Sequence, residues 1–194
     1  MKAKQIKLTI LSLLVAFTTS FAGSYKVDKE ASSVKWTGKK VNGEHYGGIS
    51  VQNGEVEVKD GKVTAGTFVV DMNSMTCDDL TGNWNEKLIG HLKSDDFFSV
   101  EDFPTSQLVI KSVESKSGGS HTFSGTLTIK GKPLPISFDG SVDLSNEKLT
   151  ATGTIIIDRT TYDIRYGSGK FFDNLGDRMI RDEFTLEYSI VATQ

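Results

Sequence analysis

Residues 134–144, Leu-Pro-Ile-Ser-Phe-Asp-Gly-Ser-Val-Asp-Leu, form the stretch that decides the fold. Every second position carries an apolar residue or glycine, and Ser or Asp fills most positions between them. Successive side chains of a β-strand point to opposite faces, so this period of two predicts a long strand with one buried face. The alternating residues are Leu134, Ile136, Phe138, Gly140, Val142 and Leu144.

The same period of two recurs along the chain and predicts about eight strands. Turn residues such as Asp60-Gly61 and Gly118-Gly119 separate the runs. Short turns of this kind favour antiparallel neighbours. The predicted strands span residues 25–37, 46–58, 63–72, 106–116, 121–131, 133–145, 148–158 and 183–193.

About eight antiparallel strands can close into a barrel that leaves no exposed sheet edge. The fold class that we predict is therefore all-β, a single closed antiparallel β-barrel. A sandwich of two sheets has a similar sequence pattern and stays open as an alternative. Alternation also leaves the interior undetermined, because inward apolar residues can fill a core or line a pocket.

One segment, near residues 75–103, departs from the strand pattern and predicts a short helical insert. Apolar and aromatic residues there follow helical spacing, at i, i+4, i+7 and i+8, and so share one helix face. Thr81 or Asn83 is the predicted N-cap. The acidic pair Asp78-Asp79 is expected to support the helix start rather than to act as a catalytic dyad. The shared face consists of Trp84, Leu88, His91 and Leu92.

A second long connection, Thr160 to Arg181, joins the last two predicted strands. Long ordered connections in compact domains often serve as lids or binding loops. Phe97 and Phe98 lie in the first insert, and Phe171 and Phe172 in the second. These rings can close over an apolar ligand or simply plug the barrel ends, since burying one Phe is worth about 1.5–3 kcal/mol. Periodicity leaves both interpretations open.

The N-terminus has the pattern of a signal peptide, predicted over residues 1–22. Lys2, Lys4 and Lys7 precede an apolar run from Leu8 to Phe17, and small residues follow at the cleavage site Ser20-Phe21-Ala22. The apolar run is too short for a membrane span, and a buried N-terminal helix or strand is the alternative. We therefore expect a periplasmic or secreted domain of residues 23–194 without stable membrane insertion.

Charge and cysteine content exclude some classes of function. The chain carries a net charge of −3, which falls to −6 without residues 1–22, because these contain three Lys and no acid. An acidic protein is a poor nucleic-acid binder. Cys77 is the single cysteine, so an intramolecular disulfide and a metal site built on cysteine pairs are excluded. Cys77 is expected to be a small buried apolar residue rather than a catalytic thiol.

Polar residues suggest few catalytic sites. No pair among the three histidines has the spacing of a helical zinc site, and no nucleophile-elbow motif occurs. We predict no metal, no cofactor and no catalytic residues. His91 is either a histidine at the core edge bonded to a backbone carbonyl, or a ligand-binding group at a pocket mouth. Arg159 either belongs to a solvated turn or binds a polar head group at the barrel rim.

The order of several segments resembles the YceI-like family. His91–Pro104, His-Leu-Lys-Ser-Asp-Asp-Phe-Phe-Ser-Val-Glu-Asp-Phe-Pro, is similar to that family's strongest motif. Gly66–Met75 and Gly125–Gly131, the latter followed by Pro133, resemble two of its strand signatures. With Tyr25–Asp28 and Trp36, the resemblance covers essentially the whole chain after the predicted signal peptide.

The resemblance implies an elongated, lipocalin-like barrel that is exported and holds a polyisoprenoid or another long amphiphile, such as an isoprenoid quinone. Family members are not known as enzymes, and a homodimer is plausible for them. Trp84 and the length of the 158–182 region depart from the usual pattern. The ligand-binding residues that we predict are Trp36, Phe68, Trp84, Leu88, His91, Leu92, Phe97, Phe98, Leu127, Phe138, Ile156, Arg159, Phe171 and Phe172.

Three hypotheses of function follow. The first is a non-catalytic carrier of a long apolar lipid, and it requires an internal cavity. The second is a hydrolase or isomerase that uses His91 or His45, and it requires a histidine–carboxylate hydrogen bond inside a cavity. The third is a ligand-free stress-response module, and it requires a filled interior.

Overall fold

Nine β-strands and one α-helix make up the computed structural model, which describes residues 22–145 and 147–194. The predicted signal peptide, apart from Ala22, lies outside the described residues. The strands are β1 (Ala22–Val27), β2 (Ser33–Lys40), β3 (Gly43–Lys59), β4 (Lys62–Asp71), β5 (Thr105–Ser115), β6 (Ser120–Ile129), β7 (Lys132–Ser145), β8 (Lys148–Asp158) and β9 (Ile180–Thr193). The helix, α1, spans Gly82–Lys93.

The strands form one closed antiparallel barrel, as the sequence predicts. The sheet order is β1-β3-β2-β9-β8-β7-β6-β5-β4, and the pairing of β3 with β4 closes the ring. A two-sheet sandwich would not have this last pairing. Strands β1 and β2 lie end to end between β3 and β9 and together fill one position in the wall. The barrel wall therefore has eight strand positions although the chain forms nine strands.

The predicted strand 25–37 is interrupted, which corrects its bounds. Asp28 ends β1, because its carboxylate accepts hydrogen bonds from the amides of Glu30 and Ala31 and so stabilises a tight turn. The Ser32 hydroxyl then takes the place of a backbone carbonyl in the strand pairing, since it accepts a hydrogen bond from the Val191 amide. The turn lets β2 restart at Ser33 beside the same two neighbours.

Along each strand of the barrel, the side chains point alternately to the interior and to solvent. On β8, Ile155 and Ile157 are buried, while the intervening Ile156 is 62 % exposed. One end of the barrel is filled by a tight apolar cluster. That cluster consists of Tyr25, Val56, Val58, Leu149 and Ala192, and partly buried apolar residues pack against it, namely Val27, Val63, Phe68, Val142, Leu144 and Ala151.

The two long connections lie at the opposite end of the barrel, where β2 ends and β9 begins. Helix α1 starts after Thr81, one of the two predicted N-caps, but the Thr81 side chain makes no capping hydrogen bond. The Asn85 amide anchors the helix instead by donating to the carbonyls of Cys77 and Leu80. Ser94 ends it through hydrogen bonds to the His91 carbonyl. Within the described part of the chain, no helix is both long and apolar enough to cross a membrane.

Candidate ligand-binding cavity

The barrel interior holds a cavity of about 550 Å³, within the usual range for ligand pockets. All eight strand positions of the barrel contribute to the cavity wall, and most of the lining side chains are apolar. Such a cavity does not fit the filled interior that the stress-response hypothesis requires. The described residues therefore enclose a cavity rather than a filled core.

The cavity is long and narrow. On β3, the lining residues extend from His45 to Val56. At about 3.3 Å per residue and a strand tilt of about 40°, this corresponds to about 30 Å along the barrel axis. A volume of about 550 Å³ spread over that length leaves room for one extended chain rather than for a compact ligand.

Eleven of the fourteen predicted ligand-binding residues line this cavity. That these residues contact a ligand stays a prediction, because a residue can line a cavity without touching what binds there. Trp84 belongs to the group although it is 71 % exposed, so it lies at the rim rather than inside. The eleven residues are Trp36, Phe68, Trp84, Leu88, His91, Leu92, Phe97, Phe98, Leu127, Phe138 and Arg159.

Three predicted residues do not reach the cavity, which corrects their assignment. Ile156 faces solvent because strand alternation allows only two residues of the Ile155–Ile157 run to point inward. Phe171 and Phe172 are both exposed. The Phe171 ring instead packs against the Arg165 guanidinium, 4.9 Å from the ring centre. These two phenylalanines thus neither plug the barrel nor close over its interior.

An aromatic cluster covers part of the barrel end that bears the long connections. The His91 ring lies edge-on to Phe97 and to Tyr166, with centroid distances of 5.1 and 4.5 Å. Phe98 contacts Phe184 of β9 in the same edge-on manner. Neither interpretation of His91 predicted this packing, and its ring makes no hydrogen bond to the described residues. The second connection contributes Tyr166 to this cluster, a role that the sequence analysis did not predict.

Arg159 holds the second connection against the barrel. Its guanidinium donates to the carbonyls of Ile164, Ile180 and Arg181 at 2.8–3.1 Å. Burial lowers the pKa of this group, although Asp182 and Asp158 act in the opposite direction. The predicted role at the rim as a binder of head groups is not supported by this arrangement, since three donors already have carbonyl partners.

His45 lines the cavity near the helix and is paired with an aspartate behind it. His45 Nδ1 lies 2.7 Å from Asp79 Oδ2, and the other carboxylate oxygen accepts hydrogen bonds from the Tyr46 amide and the Cys77 thiol. Burial alone would raise the pKa of Asp79, but these hydrogen bonds outweigh it and lower the pKa to about 2. Asp79 therefore binds His45, and the sequence-based role at the helix start is wrong.

The contact that the enzyme hypothesis requires thus exists at His45, and the structure offers no such contact at His91 among the described residues. The Cys77 thiol lies beside this pair but is a poor nucleophile there. Burial and the hydrogen bond to Asp79 raise the pKa of the Cys77 thiol, which disfavours the reactive thiolate. No group of three His, Cys, Asp or Glu side chains within residues 22–145 and 147–194 is placed to hold a metal ion.

Sequence reasoning missed further polar side chains at the barrel end that bears the long connections. Lys40, Lys87, Arg181 and Glu183 line the cavity at the end that bears α1. Their residue types are those of an ordinary surface, and only the three-dimensional closure of the barrel brings them to one opening. We refer to this opening, bounded by the ends of β2 and β9 and by α1, as the mouth.

Comparison with known proteins agrees with the fold. The model of the YceI-like domain matches residues 25–192. The crystal structure of BcnA from Burkholderia cenocepacia has a TM-score of 0.68 and 23 % identity, over 86 % of this chain and 99 % of BcnA. No curated protein matches the chain.

Two further solved structures share the architecture. A polyisoprenoid binding domain from Saccharophagus degradans, implicated in plant cell wall breakdown, has a TM-score of 0.64 and 17 % identity, over 87 % of this chain and 97 % of that domain. A YceI protein from Campylobacter jejuni has a TM-score of 0.54 and 14 % identity, over 98 % of this chain and 93 % of that protein. At these identities the likeness concerns the fold alone.

Proposed function

Because the chain belongs to the YceI-like family, we propose that it is a non-catalytic carrier of one long apolar lipid of the isoprenoid type. The observation that carries the proposal is the narrow apolar cavity of about 550 Å³ along the barrel axis. Burial of hydrocarbon there would contribute about 0.8 kcal/mol per methylene group. The likeness to a polyisoprenoid binding domain is the reason to favour an isoprenoid chain.

We further propose that the protein is exported and acts outside the cytoplasm. Support comes from the signal-peptide pattern of residues 1–22 alone. Cell fractionation together with the intact mass of the purified protein tests this point, since cleavage after Ala22 would leave Gly23 at the N-terminus. Homodimerisation stays a separate prediction, which light scattering on the purified protein can check.

The direct experiment is to purify the protein from its native compartment and extract it for lipid mass spectrometry. We expect one long apolar lipid per chain, and rebinding of that lipid after its removal. Repeated preparations that contain no lipid, and that bind no isoprenoid, quinone or fatty amphiphile, would refute the carrier function.

A pair of variants provides a matched control for that measurement. Ala151 lines the cavity on β8, whereas the next residue, Thr152, is exposed. Ala151→Phe fills part of the cavity and is expected to lower lipid affinity about tenfold or more, the loss of roughly two buried methylene groups. Thr152→Phe introduces the same ring on the outside and should leave affinity unchanged. Circular dichroism confirms that both variants are folded.

The His45–Asp79 contact favours a second candidate, a hydrolase or isomerase that acts on the head group of a bound lipid. Such an enzyme would release a product that increases with time, whereas a carrier exchanges its lipid one for one. Time courses of lipid extracts with the wild type and with His45→Asn therefore distinguish the two.

A further inference from the structure

The closed end of the cavity has two layers of apolar side chains. Val56, Val142 and Leu149 line the cavity at this end, and we refer to these three residues as the floor. Other members of the same cluster do not line the cavity and therefore lie behind the floor. This second layer consists of Tyr25, Val58 and Ala192. A chain that enters from the mouth thus meets the floor, and the floor is supported from behind.

Leu149 is fixed in the floor by its neighbours. It is the first inward residue of β8, where it pairs with Leu144 of β7 on one side and with Ala192 of β9 on the other. Its side chain is only 1 % exposed. The other floor residues are valines, whose β-branched side chains have little rotamer freedom. A close-packed layer of this kind does not make room for more atoms without strain.

The next inward residue of β8 is Ala151, whose side chain is much smaller than that of Leu149. Ala151 pairs with Val142 on β7 and with Ile190 on β9, and all three residues line the cavity. Two residues of a strand correspond to about 7 Å. The interior therefore changes from filled to hollow within this short distance, which gives the cavity a sharply defined end.

The size of the cavity limits the number of carbon atoms that it can hold. A methylene group is about as large as a water molecule, whose share of liquid volume is about 30 Å³. A cavity of about 550 Å³ therefore has room for about 18 such groups. An extended chain advances about 1.25 Å per carbon–carbon bond, so the length of about 30 Å accommodates about 24 bonds. The smaller number, from the volume, sets the limit.

We propose that the floor restricts the bound chain to about 18–20 carbon atoms, or about four isoprene units, and that Leu149 sets this limit. The inference rests on the proposed carrier function and specifies the chain length of its ligand. A chain of about eight units has about twice the carbon atoms that the cavity holds, and the excess would stay in water. Because buried hydrocarbon drives binding, affinity rises with chain length only until the cavity is full.

The test measures affinity against chain length with one constant head group. Saturated primary alcohols from about C14 to C26, in steps of two carbon atoms, compete for the delipidated mature protein, and mass spectrometry quantifies the bound fraction of each. We expect affinity to rise about tenfold per step until the cavity is full, and less than about twofold per step beyond. We call this change the break and expect it at about C18–C20. A break outside about C16–C22, or no break, would overturn the proposal.

Two variants should move the break in opposite directions. Leu149→Ala shortens the floor side chain and should move the break by about two carbon atoms toward longer chains. Ala151→Leu places the same side chain one layer nearer the mouth and should move the break by at least about two carbon atoms toward shorter chains. A general loss of stability does not produce opposite shifts. A break that stays in place in both variants would overturn the role of Leu149.

Leu134→Ala is the matched control for the loss of a leucine side chain. Leu134 lies on β7 and packs against the buried cluster that contains Leu127 and Ile129, but it does not line the cavity. This variant should keep the break of the wild type. A shift as large as that of Leu149→Ala would show that loosening of the barrel, rather than the floor, determines chain length, and would overturn the proposal.

The position of the chain end can be measured in the wild type, without any variant. Octadecanol with a diazirine on its terminal carbon atom should, after irradiation, crosslink to peptides that contain residues of the floor or of the second layer. Crosslinks confined to the mouth would overturn the proposal. If no alcohol of any length binds, the carrier function fails and the length limit with it, whereas tight binding without a break refutes only the length limit.

Discussion

The hydroxyl of Tyr188 lies directly over Gly153, on the neighbouring strand of the barrel: a methyl group on Gly153 would meet the phenolic oxygen at 2.6 Å. Gly153 pairs with Tyr188 across β8 and β9 and with Gly140 across β7 and β8. The two glycines leave the space in which the phenol lies. The hydroxyl is buried there without a hydrogen-bond partner among the described residues.

Gly153→Ala is expected to destabilise the barrel, because its methyl group would clash with the Tyr188 ring and hydroxyl. Overpacking of this kind costs about 1–3 kcal/mol. Gly90→Ala is a matched control on the exposed side of α1, where a methyl meets nothing within 4 Å. That change should stabilise the protein by about 0.5–1 kcal/mol. Urea denaturation of both variants checks the contrast, and equal stability would contradict it.

Tyr188→Phe is expected to make stability less sensitive to alkaline pH. Burial raises the pKa of Tyr188 to about 12. An unfolded tyrosine titrates near pH 10, so the folded protein holds the phenolic proton more tightly and loses this advantage as the pH rises from about 10 to 12. The free energy of unfolding should fall by about 2 kcal/mol more in the wild type than in the variant over that interval. Parallel curves would refute the assignment.

The Asp79 carboxylate is expected to contribute to acid stability. Its pKa is lowered to about 2, so its contribution is present above about pH 4 and is lost as the pH falls through 2. Asp79→Asn should cost about 1–2 kcal/mol at neutral pH, and the difference from the wild type should shrink in acid. Denaturant titrations between about pH 6 and pH 2 measure it. A difference that is constant with pH would point to packing rather than charge.

Gly38→Val is expected to obstruct the mouth without disturbing the fold. The new side chain would enter open space, and a β-branched residue suits a strand. Stability should therefore be kept or slightly raised, while the rate of lipid association falls. Thr37→Val, the neighbouring outward position, is the control of similar size. Stopped-flow binding of a fluorescent lipid measures the rates, and equal rates in both variants would show that lipid enters elsewhere.

Arg159→Met is expected to release the second connection. The change removes three hydrogen bonds from a buried guanidinium to carbonyl groups and leaves those carbonyls to find other donors. A loss of about 2–4 kcal/mol follows. Arg165→Met, which removes an exposed pair with Asp163, should change stability by less than about 0.5 kcal/mol. Faster hydrogen exchange in residues 160–181 of the first variant alone would confirm the role.

The barrel was largely predictable because alternation along a strand is a local property. The run 134–144 became β7 with its apolar residues turned inward, as the pattern requires. The break in the first strand also left a local signal. Tyr25 and Trp36 are both buried although their positions have opposite parity, and an uninterrupted strand would place them on opposite faces.

The site was less predictable because its key contacts join distant parts of the chain. His45 and Asp79 are separated by 34 residues, and neither has a neighbour in sequence that points to the other. Phe171 and Phe172 have the composition of a lid, but the path of their connection leaves them outside the barrel. Composition indicates that such rings exist, whereas only the path of the backbone decides which surface they cover.

The apolar cluster around Leu149 closes the end of the barrel opposite the mouth. In the carrier function that we propose, a lipid would enter the cavity tail first, because this apolar end lies opposite the mouth, and the last part to enter would be the first to leave. A membrane or protein that exchanged lipid with the barrel would then always meet the same end of the molecule. The proposed transfer would thus have a direction that the fold imposes.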